Sequence, residues 1–558
     1  MFTRHYPHWP RGVPKTLDVP RTSIYYNLEV SARRYPDKTA IDYYGRRITY
    51  REFQSQAEAL AGFLQKRCGI AAGDRVLLYA QNGPHFMIGY YAILRADAVV
   101  VPVNPMNLSE ELSHYVENAG ARVIVSTQEL WERIAPLVGT TLIEHALLGA
   151  HAEYVDPLTD LPLPEFVRAV AAIPIYGGVT SWREAIAAGL VPAEHRAGPD
   201  DLAVMPYTSG TTGKPKGCMH THSTVLATSS AYCQWRGATS GSVILAALPM
   251  FHVTGMQGGL NMPVQSGATS VVLSRWDRVC AAMQIERARV TGITGITTMM
   301  VDLLAWPELD RYDLSSLCTL GGGGAAMPEA LARRLAEKIG LEFIEGYGLS
   351  ETMAPSHINP PQRPKRQCAG IPIFDVDSRV LDPDSHRECG PREVGEIVMR
   401  GPQVFKGYWK QEQATRDAFV EHDGHMFFRS GDLGYYDEEG YFFVTDRLKR
   451  MINCSGYKVW PAEVEAMLYA HPDIQEACVI GSRDAYRGET VKAVIVLKAA
   501  ARDRVSAGDI IAWAQEKMAV FKVPRVVSFV EELPKTATGK VFWRRLQEEE
   551  NEKGGAGS

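Results

Sequence analysis

No run of about 18 apolar residues occurs in this chain, so an ordinary membrane-spanning helix is not expected. The most hydrophobic segment, Met87 to Val103, is broken by Arg95 and Asp97. The nine cysteines include no CxxC pair and their number is odd. That argues against a disulfide scaffold or a zinc ribbon, and for thiols kept reduced in a cytosol. No Lys/Arg block stands out and the formal net charge is −5, so nucleic acid is not an expected partner. The opening residues, Met1-Phe-Thr-Arg-His-Tyr-Pro7, lack the apolar core of a secretory signal. A cytoplasmic protein is therefore expected, with peripheral contact to a membrane left open. What is present is ordinary for a globular protein: 46% hydrophobic and 22% charged residues, in 558 positions. That length exceeds one ordinary domain and predicts roughly two to four units.

The most distinctive segment is Tyr207-Thr-Ser-Gly-Thr-Thr-Gly-Lys-Pro-Lys-Gly217. It combines glycines that let backbone amides approach an anion, hydroxyls that donate hydrogen bonds, and two lysines that supply charge. That chemistry suits a polyphosphate. The spacing is not that of a Walker loop: five residues beyond Gly210 stands Pro215, and Lys214 precedes proline rather than Ser or Thr. Pro215 also disfavours helix at Lys214, so no helix opens directly from this loop.

The first 200 residues alternate short apolar strands with helical segments, which predicts βαβ units and a mostly parallel sheet. Asp74–Tyr79, Ala98–Val103 and Arg122–Ser126 read as strands, and Pro84–Leu94 has helical apolar spacing. After Asp201 the pattern resumes with strands at Ser242–Leu248 and Thr269–Leu273. From about Val380 to Phe443, short strands and the turn Asp437-Glu-Glu-Gly440 suggest antiparallel hairpins. Beyond Arg450 a smaller α+β unit is expected, with a helix opening at Pro461, strands at Glu476–Ile480 and Thr490–Leu497, and a capped helix start at Ser506. The expected fold is thus α/β. A large N-terminal domain of parallel-type α/β subdomains with a β-rich subdomain spans 1–448, a hinge 449–450, a small mobile α+β domain 451–550, and a disordered tail 551–558.

Further segments accompany the glycine loop: Pro249-Met-Phe-His252, Thr319-Leu-Gly-Gly-Gly-Gly-Ala-Ala326, Glu345-Gly-Tyr-Gly-Leu-Ser-Glu-Thr352, Arg429-Ser-Gly-Asp-Leu-Gly434, Thr445-Asp-Arg-Leu-Lys-Arg-Met451, Asn453-Cys-Ser-Gly-Tyr-Lys-Val-Trp-Pro461 and Leu533-Pro-Lys-Thr-Ala-Thr-Gly-Lys540. Each has a bland reading, such as a strand–helix turn at the glycines or an ion pair between Asp432 and Arg447. Together and in this order they resemble the signatures of the adenylate-forming superfamily: acyl-CoA synthetases, adenylation domains of peptide synthetases and firefly-type luciferases.

The resemblance implies an acid–CoA ligase that works through an acyl-adenylate, using ATP, Mg²⁺ and coenzyme A. It assigns the ATP or AMP site to Thr208, Ser209, Gly210, Thr211, Thr212, Gly213 and Lys214, to Gly322, Gly323 and Gly324, to Tyr347, Gly348 and Thr352, and to Asp432 and Arg447. Glu351 is the implied Mg²⁺ ligand, consistent with the preference of that ion for carboxylate and phosphate oxygens. The implied catalytic set is Lys540, Glu351, Thr208 and His252. Lys540 fits as a mobile point charge with three donors. Lys449 is the implied hinge, and Ser455, Gly456, Tyr457 and Lys458 line the CoA tunnel. The acid pocket is assigned to His252, Gly255, Met256, Gly323 and Met353. His252 is either a substrate-orienting group or a packed imidazole. The segment Phe251-His-Val-Thr254 offers no carboxylate for an α-ammonium, which disfavours amino acids. One departure is visible: Val541-Phe-Trp separates Lys540 from the basic pair Arg544-Arg545, where many relatives have only two intervening residues.

Trp9-Pro-Arg-Gly-Val-Pro14 and Asn27-Leu-Glu-Val-Ser-Ala-Arg-Arg-Tyr-Pro36 resemble bacterial fatty-acid–CoA ligases, and with the small, flexible Gly255–Gly259 and Thr297–Met300 segments they point to a medium- or long-chain fatty acid. An aryl acid fits nearly as well. A ligase loading a carrier protein, a luciferase-like oxygenase and a non-catalytic nucleotide-binding protein are the remaining alternatives. The expected partners are small molecules, and a homodimer is allowed.

Overall fold

Short β-branched runs separated by helices build two sheets in the first of two compact units, which comprises Met1–Ser378 and Arg400–Phe428. The computed structural model describes residues 1–174, 176–208, 215–324, 327–454, 457–484, 488–536 and 541–555, and of 449, 453, 457, 458, 488 and 553–555 the backbone alone. A seven-stranded sheet runs in the order His220–Thr221, Leu202–Val204, Val99–Pro102, Arg75–Tyr79, Val123–Thr127, His145–Gly149, Val179–Ser181. All its pairings are parallel except the one between His220–Thr221 and Leu202–Val204. A nine-stranded sheet contains Phe343–Tyr347, Thr319–Gly323, Gly292–Gly295, Val243–Ala246, Thr269–Val272 and Thr39–Tyr43 as consecutive parallel neighbours. The expected strands and the mostly parallel sheet architecture are both present.

The helices follow from local chemistry. Thr49 and Glu52 form a reciprocal capping box that starts Tyr50–Lys66. Pro84 sits at the first helical position of Pro84–Arg95, where its missing N–H is no loss. Every residue from Pro84 to Leu94 is buried, because this helix packs on the seven-stranded sheet and against Tyr50–Lys66. Gly237 ends the helix His222–Arg236 in the left-handed conformation, with φ of +60°.

The second unit comprises Arg379–Met399 and Arg429–Ser558. Its C-terminal part is a five-stranded sheet in which Ile474–Asp484 and Gly488–Leu497 form a long antiparallel pair and Val526–Phe529 adds in parallel. Helices Pro461–Leu468, Ala507–Lys517 and Trp543–Gly555 accompany it, the second started by a Ser506–Asp509 capping box. Among the described residues no helix is long and apolar enough to cross a membrane.

The first unit buries several imidazoles that the fold holds neutral. His222 accepts a hydrogen bond at Nδ1 from the Ile24 N–H (3.0 Å). His220 donates from Nε2 to the Ser350 carbonyl (2.7 Å). Burial lowers both from their ordinary 6.5 to about 4, and His357 to about 3. The unfolded chain takes up these protons near pH 6.5, whereas the fold refuses them until about pH 4. Between those values the unfolded state binds more protons, so stability falls as pH falls. We expect the melting temperature of the first unit to drop by on the order of 10 °C between pH 7 and 4.5. Calorimetry over that range tests it; a flat profile excludes these imidazoles as the acid-labile element.

Candidate functional site

The glycine loop is closed at its base by a two-stranded ladder in which Tyr207 pairs with Gly217 and Thr208 with Lys216. Ser209, Gly210, Thr211, Thr212, Gly213 and Lys214 lie outside the described residues. The chain leaves the loop as strand, and the next helix begins only at His222, as the proline at 215 implied. The base is held from one side by Tyr207, whose hydroxyl donates to Asn118 Oδ1 (2.7 Å), and by His114, whose Nε2 lies 3.1 Å from the Pro215 carbonyl.

From the other side it is held by residues 405–409. Trp409 N–H donates to the Gly217 carbonyl (2.8 Å), Lys406 N–H to that of Met219 (2.9 Å), and Met219 N–H to that of Gly407 (3.0 Å). The same segment holds Glu351. Phe405 N–H donates to the Glu351 carbonyl (2.8 Å), and the Tyr408 hydroxyl donates to Glu351 Oε1 (2.8 Å). The Lys216 ammonium lies 5.0 Å above the Tyr408 ring. Burial, and then the Glu351 charge, push the Tyr408 phenol above its usual range, so it stays a donor. Glu351 is a buried carboxylate with oxygen donors only, a set that fits Mg²⁺. Tyr408 was not singled out from sequence. The signal available was a Gly-Tyr-Trp run at 407–409, in which two large aromatics follow a glycine just past a β-rich stretch.

The remaining predicted residues of this unit cluster at the carboxyl ends of adjacent parallel strands, where open α/β sheets bind ligands. Gly322 pairs with Gly295 and Glu345, and Gly323 with Gly346. A Cβ at Gly322 would stand 1.7 Å from the Gly295 carbonyl oxygen, so only glycine keeps this strand flat against its neighbour. Beyond it the chain turns at Gly324, with φ of +95°. Tyr347 ends the next strand, its ring 5.6 Å from that of His357. A Cβ at Gly348 would meet the Ala354 and Pro355 backbone at 2.9 and 2.8 Å. Thr352 is fully buried; its hydroxyl accepts from Leu349 N–H (2.9 Å) and faces the Leu349 carbonyl at 3.2 Å, which closes the turn that carries Glu351. His220 fixes the same turn through Ser350. His252 caps the short helix Val253–Met256, accepting from Thr254 N–H at Nδ1 (3.3 Å), and so positions Gly255 and Met256. Met256 and Met353 are both fully buried.

In the second unit Asp432 and Arg447 face each other across an antiparallel pair, with Arg447 Nε 2.7 Å from Asp432 Oδ1. Asp432 is buried and its strand turns at Gly431, whose N–H donates to Glu396 (3.1 Å). Lys449 lies in the one-turn helix Leu448–Arg450. That turn is pinned by Asp446, which accepts from the N–H groups of Arg447 and Ala462 (both 2.7 Å), and by Arg450, which pairs with Glu465. Tyr457 and Lys458 belong to strand Tyr457–Val459, paired with Ile452–Cys454. Ser455, Gly456 and Lys540 lie outside the described residues.

The sequence matches the AMP-binding enzyme family over residues 28–409 and the AMP-binding enzyme C-terminal domain over 463–540. The chain belongs to the AMP-binding enzyme family. A Bacillus subtilis (strain 168) long-chain-fatty-acid–CoA ligase is 36% identical to it over 560 residues, covering 98% of this chain and 97% of that protein. A feruloyl-CoA synthase from Amycolatopsis is 35% identical over 519 residues, covering 92% and 96%. The crystal structure of ATP-bound MatB from Rhodopseudomonas palustris superposes with a TM-score of 0.82 at 27% identity, covering 95% of this chain and 99% of that one.

Within this family member, Tyr408 is the link that ties the carboxylate of Glu351 to the base of the loop. Replacing Tyr408 by Phe removes one charge-assisted hydrogen bond while keeping the ring under Lys216. We expect about a tenfold rise in the Mg·ATP concentration needed for half-maximal pyrophosphate release, consistent with ~1.5 kcal/mol for such a bond. Initial rates against Mg·ATP, with a melting curve beside them, test this; an unchanged requirement in a stable variant would remove Tyr408 from the site.

Proposed function

We propose that this chain is an AMP-forming acid–CoA ligase. The acid carboxylate attacks the α-phosphorus of ATP, the bond to the β-bridging oxygen breaks, and pyrophosphate leaves. The CoA sulfur, having given its proton to solvent, then attacks the acyl carbon, and AMP departs with the electrons of the acyl–oxygen bond. The observation that carries the reading is the joint anchoring of the loop base and Glu351 on residues 405–409 of an AMP-binding enzyme.

No protein nucleophile is required, so catalysis is positioning and charge. Thr208 and the 209–214 loop hold the phosphates, and the Thr352 turn presents Glu351, the residue that would hold Mg²⁺. That ion, when bound, offsets phosphate charge. The glycine run Gly322–Gly324 and the Tyr347 ring accept the adenine, and Asp432 with Arg447 accepts the ribose hydroxyls. Lys540 steadies the charge of the adenylating transition state, and rotation about Lys449 replaces it by Ser455–Lys458, along which the CoA arm passes.

The acid is a medium- or long-chain fatty acid, which the name of the Bacillus subtilis relative supports. A second reading, an aryl acid, is supported by the feruloyl-CoA synthase. The reading extends to a cytoplasmic enzyme, and light scattering tests whether it is a homodimer.

Lys540→Ala is expected to lower acid-dependent ATP–pyrophosphate exchange by about 100-fold or more, and to leave thioester formation from a supplied acyl-adenylate within about threefold. Equal loss of both half-reactions overturns the alternation about Lys449. Pyrophosphate release across a panel of acids, with CoA or a carrier protein as acceptor, tests the overall assignment, and silence with every acid would sink it.

A further inference from the structure

The base of the glycine loop is gripped by an element that lies outside every motif of the sequence. Helix Ser109–Ala119 lays one face against it. Asn118 follows Tyr115 by three residues and His114 by four, so the three share that face. The Tyr115 ring meets the Tyr207 ring edge-on at 4.7 Å, and His114 Nε2 lies 3.1 Å from the Pro215 carbonyl. The helix stops at Gly120, whose φ is +67° and whose N–H donates to the Val116 carbonyl. The carbonyls of Asn118 and Ala119 fall past that last helical bond, and groups from elsewhere take them. The Trp409 indole N–H (2.9 Å) and the Lys410 ammonium (3.0 Å) donate to the Asn118 carbonyl, and Arg75 Nε donates to that of Ala119 (2.7 Å). Cations suit this end of a helix dipole. The Arg75 guanidinium also lies over the Trp409 ring, 5.4 Å from its centre.

Asn118 thereby touches both sides of the loop's base. At the entry its side-chain oxygen accepts from the Tyr207 hydroxyl (2.7 Å). At the exit its carbonyl holds Trp409, whose own N–H donates to the Gly217 carbonyl (2.8 Å). Gly217 pairs in turn with Tyr207. Tyr207, Asn118, Trp409 and Gly217 therefore close a ring of hydrogen bonds directly behind Thr208 and Lys216, the ladder pair next to the loop. Burial, and then neighbouring Tyr115, push the Tyr207 phenol above its usual range, so it remains a donor. Fixing the two ends of a glycine-rich segment beforehand lowers the entropy cost of ordering it around a ligand.

We propose that Asn118 is a positioning residue for the nucleotide. By joining the two ends of the loop's base it sets where Thr208 and Lys216 stand, and so how tightly the phosphates of ATP are held. It acts through Tyr207 and not by touching the nucleotide itself. This rests on the acid–CoA ligase reading and adds to it a residue on a helix remote in sequence from the loop. The hydroxyls and lysines of the loop are suited to phosphate. A displaced base is therefore felt by a ligand with three phosphates and far less by one with a single phosphate.

The test is calorimetric titration of Mg·ATP and of AMP into the wild type, Asn118→Ala, Asn118→Asp and Tyr207→Phe, with pyrophosphate-release kinetics beside it. Asn118→Ala keeps the backbone carbonyl that Trp409 and Lys410 use, so the helix end stays capped. It strips the Tyr207 hydroxyl of its acceptor, and is expected to weaken Mg·ATP binding about tenfold while AMP stays within about twofold. KM for Mg·ATP is expected to rise about tenfold with kcat within about threefold. Asn118→Asp still accepts from Tyr207, and its Mg·ATP binding is expected within about threefold of wild type. Asn118→Ala and Tyr207→Phe remove the same bond, so their losses do not multiply in the double variant. Melting curves accompany each variant. Should Asn118→Ala melt early, Tyr207→Phe, which removes that bond and keeps the ring against Tyr115, carries the test. Unchanged Mg·ATP binding in these variants, equal loss of ATP and AMP, or multiplying losses in the double variant overturns the proposal. Calorimetry needs no acid, so those outcomes leave the ligase reading standing. Absence of pyrophosphate with every acid falls on that reading instead.

Discussion

Residues 405–409 are the constraint on which the site depends. Their backbone hydrogen bonds to Gly217 and Met219 fix where the chain leaves the glycine loop, and their bonds to Glu351 fix where the acidic turn sits. A loop rich in glycine and hydroxyls has no preferred shape of its own. A carboxylate meant to meet a hard cation must be held away from competing partners but within hydrogen-bonding support. One short segment meets both needs because it alternates: backbone groups bond the loop, and the Tyr408 side chain reaches across to Glu351.

The remaining parts of the first unit extend the same logic. Parallel strands end at one edge of the sheet, so Gly322–Gly324, Tyr347–Met353 and His252–Met256, distant in sequence, converge there. The buried imidazole of His220 locks the Glu351 turn from below.

The second unit carries ion pairs of its own. Asp432 and Arg447 pair across a strand ladder, with the carboxylate buried and the guanidinium reaching solvent. Asp446, Arg450 and Glu465 fix the ends of the turn around Lys449. A turn anchored at both ends confines any backbone rotation to a few residues.

The sequence by itself determined the chemistry. Residue types in the loop already suited an anion, the ordered motifs around Glu351 and Asp432 carried the resemblance to adenylate-forming enzymes, and alternation of strands with helices already implied the parallel sheets. The bounds of strands such as Val123–Thr127 and Thr269–Val272 lie within about a residue of those read from apolar runs, because periodicity is local. What only the tertiary structure decided is partnership. Tyr408 lies 57 residues from Glu351, and nothing in either neighbourhood foretells their bond. Local pattern fixes which way a residue faces along its own element; which groups face it from elsewhere, and whether any do, is set by how distant strands and helices pack.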